Sequence, residues 1–310
     1  MTRPGRPWAE ASHVSTRLLV HAMVREDATV DTGDLYAVAN CLGMTDQQVR
    51  LCIKRLVAEG RFTHQGRGRK ALLWATPEAI DDAARDLGYV WYAYEQDQGR
   101  APWDGRWQLI AFAVPEAARD ARDALREEIV RLGGAAVQNG LYVAANPIAA
   151  PVEQQARRLG VLACVTFLTS TDLSVGGRAE PADLAAALWP VPQIAARYTR
   201  LADLAERHLI RLDQNGRLDA TDRAAMAIQL AAAFTDAMDP DPLLPPELLP
   251  RPWDGARARA LFARCWIRLQ DAGQDGTPPP RLFRRYSEIL RESATSSAPP
   301  ARPPAPSEPR

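Results

Sequence analysis

Lysine is nearly absent from this chain of 310 residues: only Lys54 and Lys70 occur among its 38 basic residues. We read that bias toward arginine as the mark of a GC-rich genome rather than of function. Cysteine is sparse too. Cys41, Cys52, Cys164 and Cys265 are scattered without CxxC spacing, which excludes the usual zinc ribbons and redox pairs and leaves four reduced thiols used in packing. The four histidines, His13, His21, His64 and His208, have no ligand spacing, so no metal site and no cofactor are expected. Net charge is zero, which excludes attraction of the whole protein to nucleic acid but not a local patch. The longest near-apolar run, "GVLACVTFL" (160–168), is far too short for a bilayer of about 20 helical residues. No apolar stretch follows "MTRPGRPWAEAS", so no secretory leader and a cytoplasmic location are expected. The phosphate loop GxxxxGK[ST], the GxSxG elbow and HExxH are all missing, and no catalytic residues are predicted.

What is present is enough apolar material, 46% of residues, for two or three folded units. Helical periodicity runs over 13–26, and a second helix fits 32–43 with Thr32 at its start. A third helix fits 45–60, where Thr45 and Gln48 make a capping box and Gly60 a stop. Two short strands around "QGRGRK" follow. Three helices and then a basic hairpin is the order of a winged helix-turn-helix, assigned to residues 1–76. Residues 77–105 read as a connecting helix (77–95) and a polar linker (96–106 at its widest) that ends in "PWDG".

Residues 106–175 carry the order βαββαβ, a ferredoxin-like pattern, with a hairpin turning at Asn139–Gly140. Residues 176–292 read as all-helical, interrupted by "DPDPLLPPELLPRPW" (239–253), whose six prolines forbid a regular helix. The tail 293–310 is rich in Ala, Pro and Ser and is expected to be disordered. The predicted class is therefore α+β: winged helix, ferredoxin-like middle, helical C-terminal domain. A second "PWDG" (252–255) opens a helix, whereas the first (102–105) turns into a strand. The repeat thus marks two joints rather than a duplication.

On a helical wheel Val49, Cys52, Ile53 and Leu56 form the packed side of the third helix. Gln47, Arg50, Leu51, Lys54 and Arg55 lie opposite, with Thr45 at the entry. Arginine reads guanine edges, glutamine adenine edges, and a leucine can meet a thymine methyl, so this face suits a major groove. A merely solvated face is the plainer alternative. The wing, with Arg67, Arg69 and Lys70 and no acid, suits phosphates or the minor groove. Residues 1–76 hold eleven basic and seven acidic side chains, so positive charge is concentrated there. The partner these features select is a double-stranded DNA operator. Trp103, Trp107, Trp189, Tyr198, Trp253 and Trp266 are candidates for an effector pocket, against a default of core packing. Two other classes stay open. One is a nucleic-acid-processing enzyme built on the ferredoxin-like unit, and the other is a winged-helix adaptor for proteins.

The motifs "RGRKALLWATPEA", "WDGRWQLIAFAVPE" and above all "DPLLPPELLPRPWDG" resemble the PaaX family of bacterial transcriptional repressors, to about Arg291. That resemblance implies a homodimer on an inverted repeat, control of phenylacetate catabolism, and release by an aryl-CoA or related acyl-CoA such as phenylacetyl-CoA. Its DNA-reading positions map onto the third helix and wing. The run "YVWYAYEQDQG" is bulkier than the family pattern, and no effector site maps residue by residue.

Overall fold

In the computed structural model the described residues are 14–66, 71–82, 87–214, 218–271 and 281–295. Helix α1 (Thr16–Ala22) starts where the Ser15 hydroxyl accepts the Leu18 N–H at 3.1 Å. Strand β1 (Thr29–Asp31) leads into α2 (Thr32–Cys41) and α3 (Asp46–Ala58). The hairpin of β2 (Phe62–Gln65) and β3 (Leu72–Ala75) then closes a three-stranded antiparallel sheet in the order β1-β3-β2. Sequence reasoning missed β1, which is three residues long and too short for a period to register. Helix α2 starts at Thr32, as expected, and is capped by the residue before it. Asp31 accepts the Asp34 N–H at 3.0 Å, while Thr32 is buried and its hydroxyl donates to the Ala71 carbonyl at 2.9 Å.

The connector has two helical pieces, α4 (Pro77–Asp82) and α5 (Leu87–Asp97). The expected polar linker from 96 onward therefore begins later, because Glu95, Gln96 and Asp97 are held inside the structure rather than solvated. Each has a partner there, as described below.

The middle segment has the expected βαββαβ order: β4 (Trp107–Phe112), α6 (Arg119–Arg131), β5 (Ala135–Gln138), β6 (Leu141–Ala144), α7 (Ala149–Arg158) and β7 (Val165–Ser170). Its four-stranded sheet is antiparallel in the order β5-β6-β4-β7. Period-two alternation sends Ile110, Tyr142 and Ala144 to one face, where Leu125 and Ile129 of α6 and Val152 of α7 cover them. Trp107 and Val143 point to the other face, onto Leu184 and Ala185 of α8 (Pro181–Leu188), Trp189, Leu244 and Leu248.

The C-terminal segment continues with α9 (Val191–Gln214), α10 (Ala220–Met238), α11 (Asp254–Asp271) and α12 (Arg281–Thr295). Helix α12 runs three residues past the boundary expected at 292. The rest of the predicted tail lies outside the described residues. The proline-rich stretch is non-helical except for one 3₁₀ turn, Pro246–Leu248, as its missing N–H groups require. Among the described residues no helix is long and apolar enough to cross a membrane.

The cores divide unexpectedly. Leu19, Leu35, Val49 and Phe62 of the N-terminal unit share one continuous core with Tyr94 of α5 and with Tyr198, Phe234, Phe262 and Trp266 of the C-terminal helices. Helix α2 lies against α10, and α1 against α10 and α12. The N-terminal unit is thus packed onto the helical one, not merely tethered to it.

Candidate nucleic-acid interface and the buried joint behind it

The third helix begins as its sequence demands. The Thr45 side chain accepts the Gln48 N–H at 3.3 Å, and Gln48 Oε1 accepts the Thr45 N–H at 2.8 Å, completing the capping box. That fixes Gln48 as a cap and sets the phase of everything after it. Val49 and Leu56 are buried; Thr45, Gln47, Arg50, Leu51, Lys54 and Arg55 are exposed. Leu51 is 50% exposed, so its side chain stands on the outer face among these polar groups. Among the described residues no ion pair engages Arg50, Lys54 or Arg55, whereas nearby Arg17 is bound to Glu59 at 2.7 Å and Arg25 to Asp34 at 2.8 Å. Three cations are therefore free to meet an anion. Burial raises the pKa of the Cys52 thiol, despite Arg17 and Arg55, so it remains a thiol on the packed side.

A cavity of about 400 Å³ lies between α1 and α3, with Leu51, Cys52 and Leu56 among its lining and Arg17, Arg55 and Glu59 at its charged positions. The β3 strand adds an indole that sequence reasoning took only as strand-forming: Trp74 is 41% exposed. Alternation along "LLW", with Leu73 buried, was the signal that places it on the outer side. Arg67, Arg69 and Lys70 lie outside the described residues.

The effector candidates fall in the interior. Trp107 stacks on Trp189 with centroids 6.2 Å apart, and Trp103 meets Trp107 edge-on at 5.2 Å. Trp189 is held by its indole N–H, which donates to the Gly133 carbonyl at 3.0 Å. Trp266 is fully buried and donates to Ser287 Oγ at 3.2 Å. Trp103 and Trp253, the two "PWDG" tryptophans, both pack half-buried against the same cluster around Trp107. Their tetrapeptides use different chemistry there. Asp104 accepts the Arg106 N–H at 2.9 Å in a turn, whereas Gly255 is needed because a Cβ would lie 2.3 Å from Trp253 Nε1. Asp254, expected as a cap, is the first residue of α11 itself.

Tyr198 belongs to a buried polar joint that no sequence motif announced. Arg259, with its side chain 3% exposed, donates from Nε and Nη2 to both oxygens of Asp97 at 2.6 Å and from Nη1 to the Tyr198 hydroxyl at 2.7 Å. Tyr198 in turn donates to Asp241. Burial works against the Arg259 charge, but Tyr198, Asp97 and Asp241 outweigh it and hold the guanidinium protonated. Burial also pushes Asp241 up, opposed by Arg259.

Beside this joint the Leu243 carbonyl accepts from Gln96 Nε2 at 2.8 Å and from Asn146 Nδ2 at 2.8 Å, and Asn146 Oδ1 accepts from the Tyr92 hydroxyl at 3.1 Å. Leu243 has φ 50, a left-handed conformation that costs a branched residue on the order of 1–3 kcal/mol. The twist has a use. It sends Leu243 into the core shared with the N-terminal unit and the next residue, Leu244, into the core under the middle sheet. Three chemically distinct segments (the end of α5, the loop after β6 and the proline-rich stretch) thus meet where α9 and α11 cross.

Comparison with known proteins bears on the same regions. Residues 100–185 match the model described as "PaaX protein central Cas2-like domain", and residues 189–277 match "PaaX-like protein C-terminal domain". No curated protein matches the chain. Among solved structures it is similar to "Uncharacterized protein Rv0674 from Mycobacterium tuberculosis", with 20% identity and a TM-score of 0.50 over 83% of this chain and 98% of that one. At that identity the likeness concerns the fold alone.

Proposed function

The chain belongs to the PaaX family, and from that membership we propose that it is a DNA-binding transcriptional regulator, a repressor of phenylacetate catabolism genes that acts as a homodimer. The N-terminal unit serves as the winged helix-turn-helix, with α3 in the major groove and the β2–β3 loop as the wing. The middle unit is ferredoxin-like. The observation that carries the reading is the outer face of α3, where Gln47, Arg50, Leu51, Lys54 and Arg55 are all exposed and the cations lack ion partners among the described residues. A face that only needed solubility would bind its arginines to acids, as Arg17 is bound to Glu59.

Release follows from linkage. An aryl-CoA or related acyl-CoA with different affinity for the DNA-competent state shifts the population away from operator binding. Trp103 and Trp253, half-buried at the two joints, are the tryptophans placed to feel such a ligand.

The test is fluorescence anisotropy of the full chain with promoter fragments over a salt series. Arg50→Ala is expected to cost about 1–3 kcal/mol on the preferred operator and to relax preference at one base position. Arg67→Ala with Arg69→Ala is expected to weaken all sequences and to lower the salt slope by about 2. Phenylacetyl-CoA is expected to release the operator. Absence of binding to any promoter fragment would remove the DNA reading and favour a protein-binding adaptor.

A further inference from the structure

The sheet of the middle unit has an open edge. Strand β7 bonds β4 on one side, and among the described residues no strand lies on the other. Its parity is fixed by the Ala113 N–H, which donates to the Cys164 carbonyl at 3.0 Å, and by the pairs Ala111↔Thr166 and Leu109↔Leu168. In an antiparallel ladder alternate residues bond inward. Residues 164, 166, 168 and 170 therefore face β4, and Val165, Phe167 and Thr169 lie on the outward parity. The Val165 N–H donates to the Leu162 carbonyl of the preceding 3₁₀ turn; among the described residues no backbone group reaches the other outward groups, the Val165 C=O and both groups of Phe167 and Thr169.

Proteins blunt such edges with lysine, proline, a bulge or a very short strand. β7 has none of these. It is six residues long and reads VTFLTS, and no charged residue occurs from 160 to 171. Leu168 is 51% exposed on it. This is the apolar run of 160–168 noted above as too short for a membrane, and the core explains only part of it.

We infer that β7 pairs antiparallel with β7 of a second copy of this chain, across a twofold axis at Phe167, joining two four-stranded sheets into one. The inference rests on the homodimer reading above and names its surface. What favours a second copy over a foreign strand is self-complementarity. The outward residues are symmetric about Phe167. A twofold there sets Phe167 opposite its own equivalent, a pair that exchanges two backbone hydrogen bonds, and Val165 opposite Thr169 of the other copy, where the Thr169 N–H donates to the Val165 carbonyl while the Val165 N–H stays on Leu162. β-Branched and aromatic cross-strand pairs of this kind stabilise sheets. On the other face Leu168 meets Thr166 of the second copy and loses its exposure. No like charges meet, because the first charged residue, Asp172, falls opposite Leu162 in this register.

The experiment uses the full chain in analytical ultracentrifugation, with operator binding measured in parallel. Wild type is expected to be dimeric. Thr169→Pro removes an outward N–H without touching the β4 ladder, so it is expected to give a folded monomer with unchanged far-UV circular dichroism. Thr169→Lys, which needs no change of backbone, is expected to weaken dimerisation at least tenfold. Phe167→Cys is expected to give a covalent dimer on oxidation, since Cα atoms of about 5.5 Å separation suit a disulfide. Leu168→Cys, about 7–8 Å from its own equivalent in this register, is expected not to. A dimer that persists in Thr169→Lys, or Phe167→Cys that fails to cross-link while wild type is dimeric, overturns the register. A wild type that is monomeric at every concentration overturns both the surface and the dimer, while operator binding by that monomer would leave the DNA reading standing.

Discussion

Replacing Arg259 by leucine tests the buried joint most directly. The guanidinium makes two bonds of 2.6 Å to Asp97 and one of 2.7 Å to Tyr198, and lies 3.6 Å from Asp241. Leucine keeps much of the side-chain volume and removes the charge. What remains is two carboxylates with side chains 14% and 6% exposed and, among the described residues, no countercharge in contact. Removing one partner of a buried pair costs about 3–5 kcal/mol, and stranding two acids places this variant in the upper part of that range. The sign of the pH dependence follows from the same groups. Burial already pushes Asp241 up, and Arg259 is the largest influence holding it down. Without Arg259 its folded-state pKa rises further above the unfolded value, so protonation favours the folded variant. The deficit against wild type is therefore expected to shrink as pH falls from about 8 to about 5. Urea unfolding followed by tryptophan fluorescence and circular dichroism, at several pH values, measures this. Arg259→Lys, which keeps the charge but loses the two-pronged geometry, should fall between. A loss below about 1 kcal/mol, or one that does not change with pH, would refute the view of this joint as a desolvated charge cluster.

Three further outcomes are expected. Burial, then Arg207 and Arg211, hold His208 down to about 4, from an ordinary 6.5. Its folded-state pKa is depressed, so stability falls as pH drops from 6.5 toward about 4, by up to about 3 kcal/mol, and His208→Gln should flatten that slope in a pH series of unfolding curves. Thr45→Ala removes half of the α3 capping box and should cost about 1 kcal/mol by thermal unfolding, with operator affinity reduced more than the loss of one contact explains. Gly133→Ala places a Cβ 2.6 Å from the Pro242 carbonyl oxygen. It should destabilise by about 1–3 kcal/mol and raise hydrogen exchange at the proline-rich joint before it does so in α3.

Much of the local structure is legible in the sequence because its causes are local. Thr45 and Gln48 announce the start of α3 three residues apart, and the structure closes both bonds of that box. Asn139–Gly140 turns the β5–β6 hairpin, and the prolines of 239–253 keep out all but a single 3₁₀ turn. The exposed side of α3 followed from 3.6-residue periodicity alone. β1 escaped because three residues show no period, and Gln96 and Asp97 were read as linker because polar and charged residues normally mark solvent. Here Arg100 approaches Glu95 with its Nε at 2.9 Å and Arg259 meets Asp97, and neither partnership leaves a trace in spacing.

By itself, then, the sequence determined the elements, their order and the polar face of α3, because caps, turns and helical period act over a few residues. Only the tertiary structure decided that the N-terminal unit shares its core with the C-terminal helices, and that Leu243 and Leu244 divide between two cores. It alone showed that Asp97, Tyr198, Asp241 and Arg259 converge, and that β7 is left as an open edge. Those facts depend on residues as far apart in the chain as Asp97 and Arg259, which are brought together by burying apolar surface. Burial of that kind depends on the whole chain and so cannot be read one window at a time.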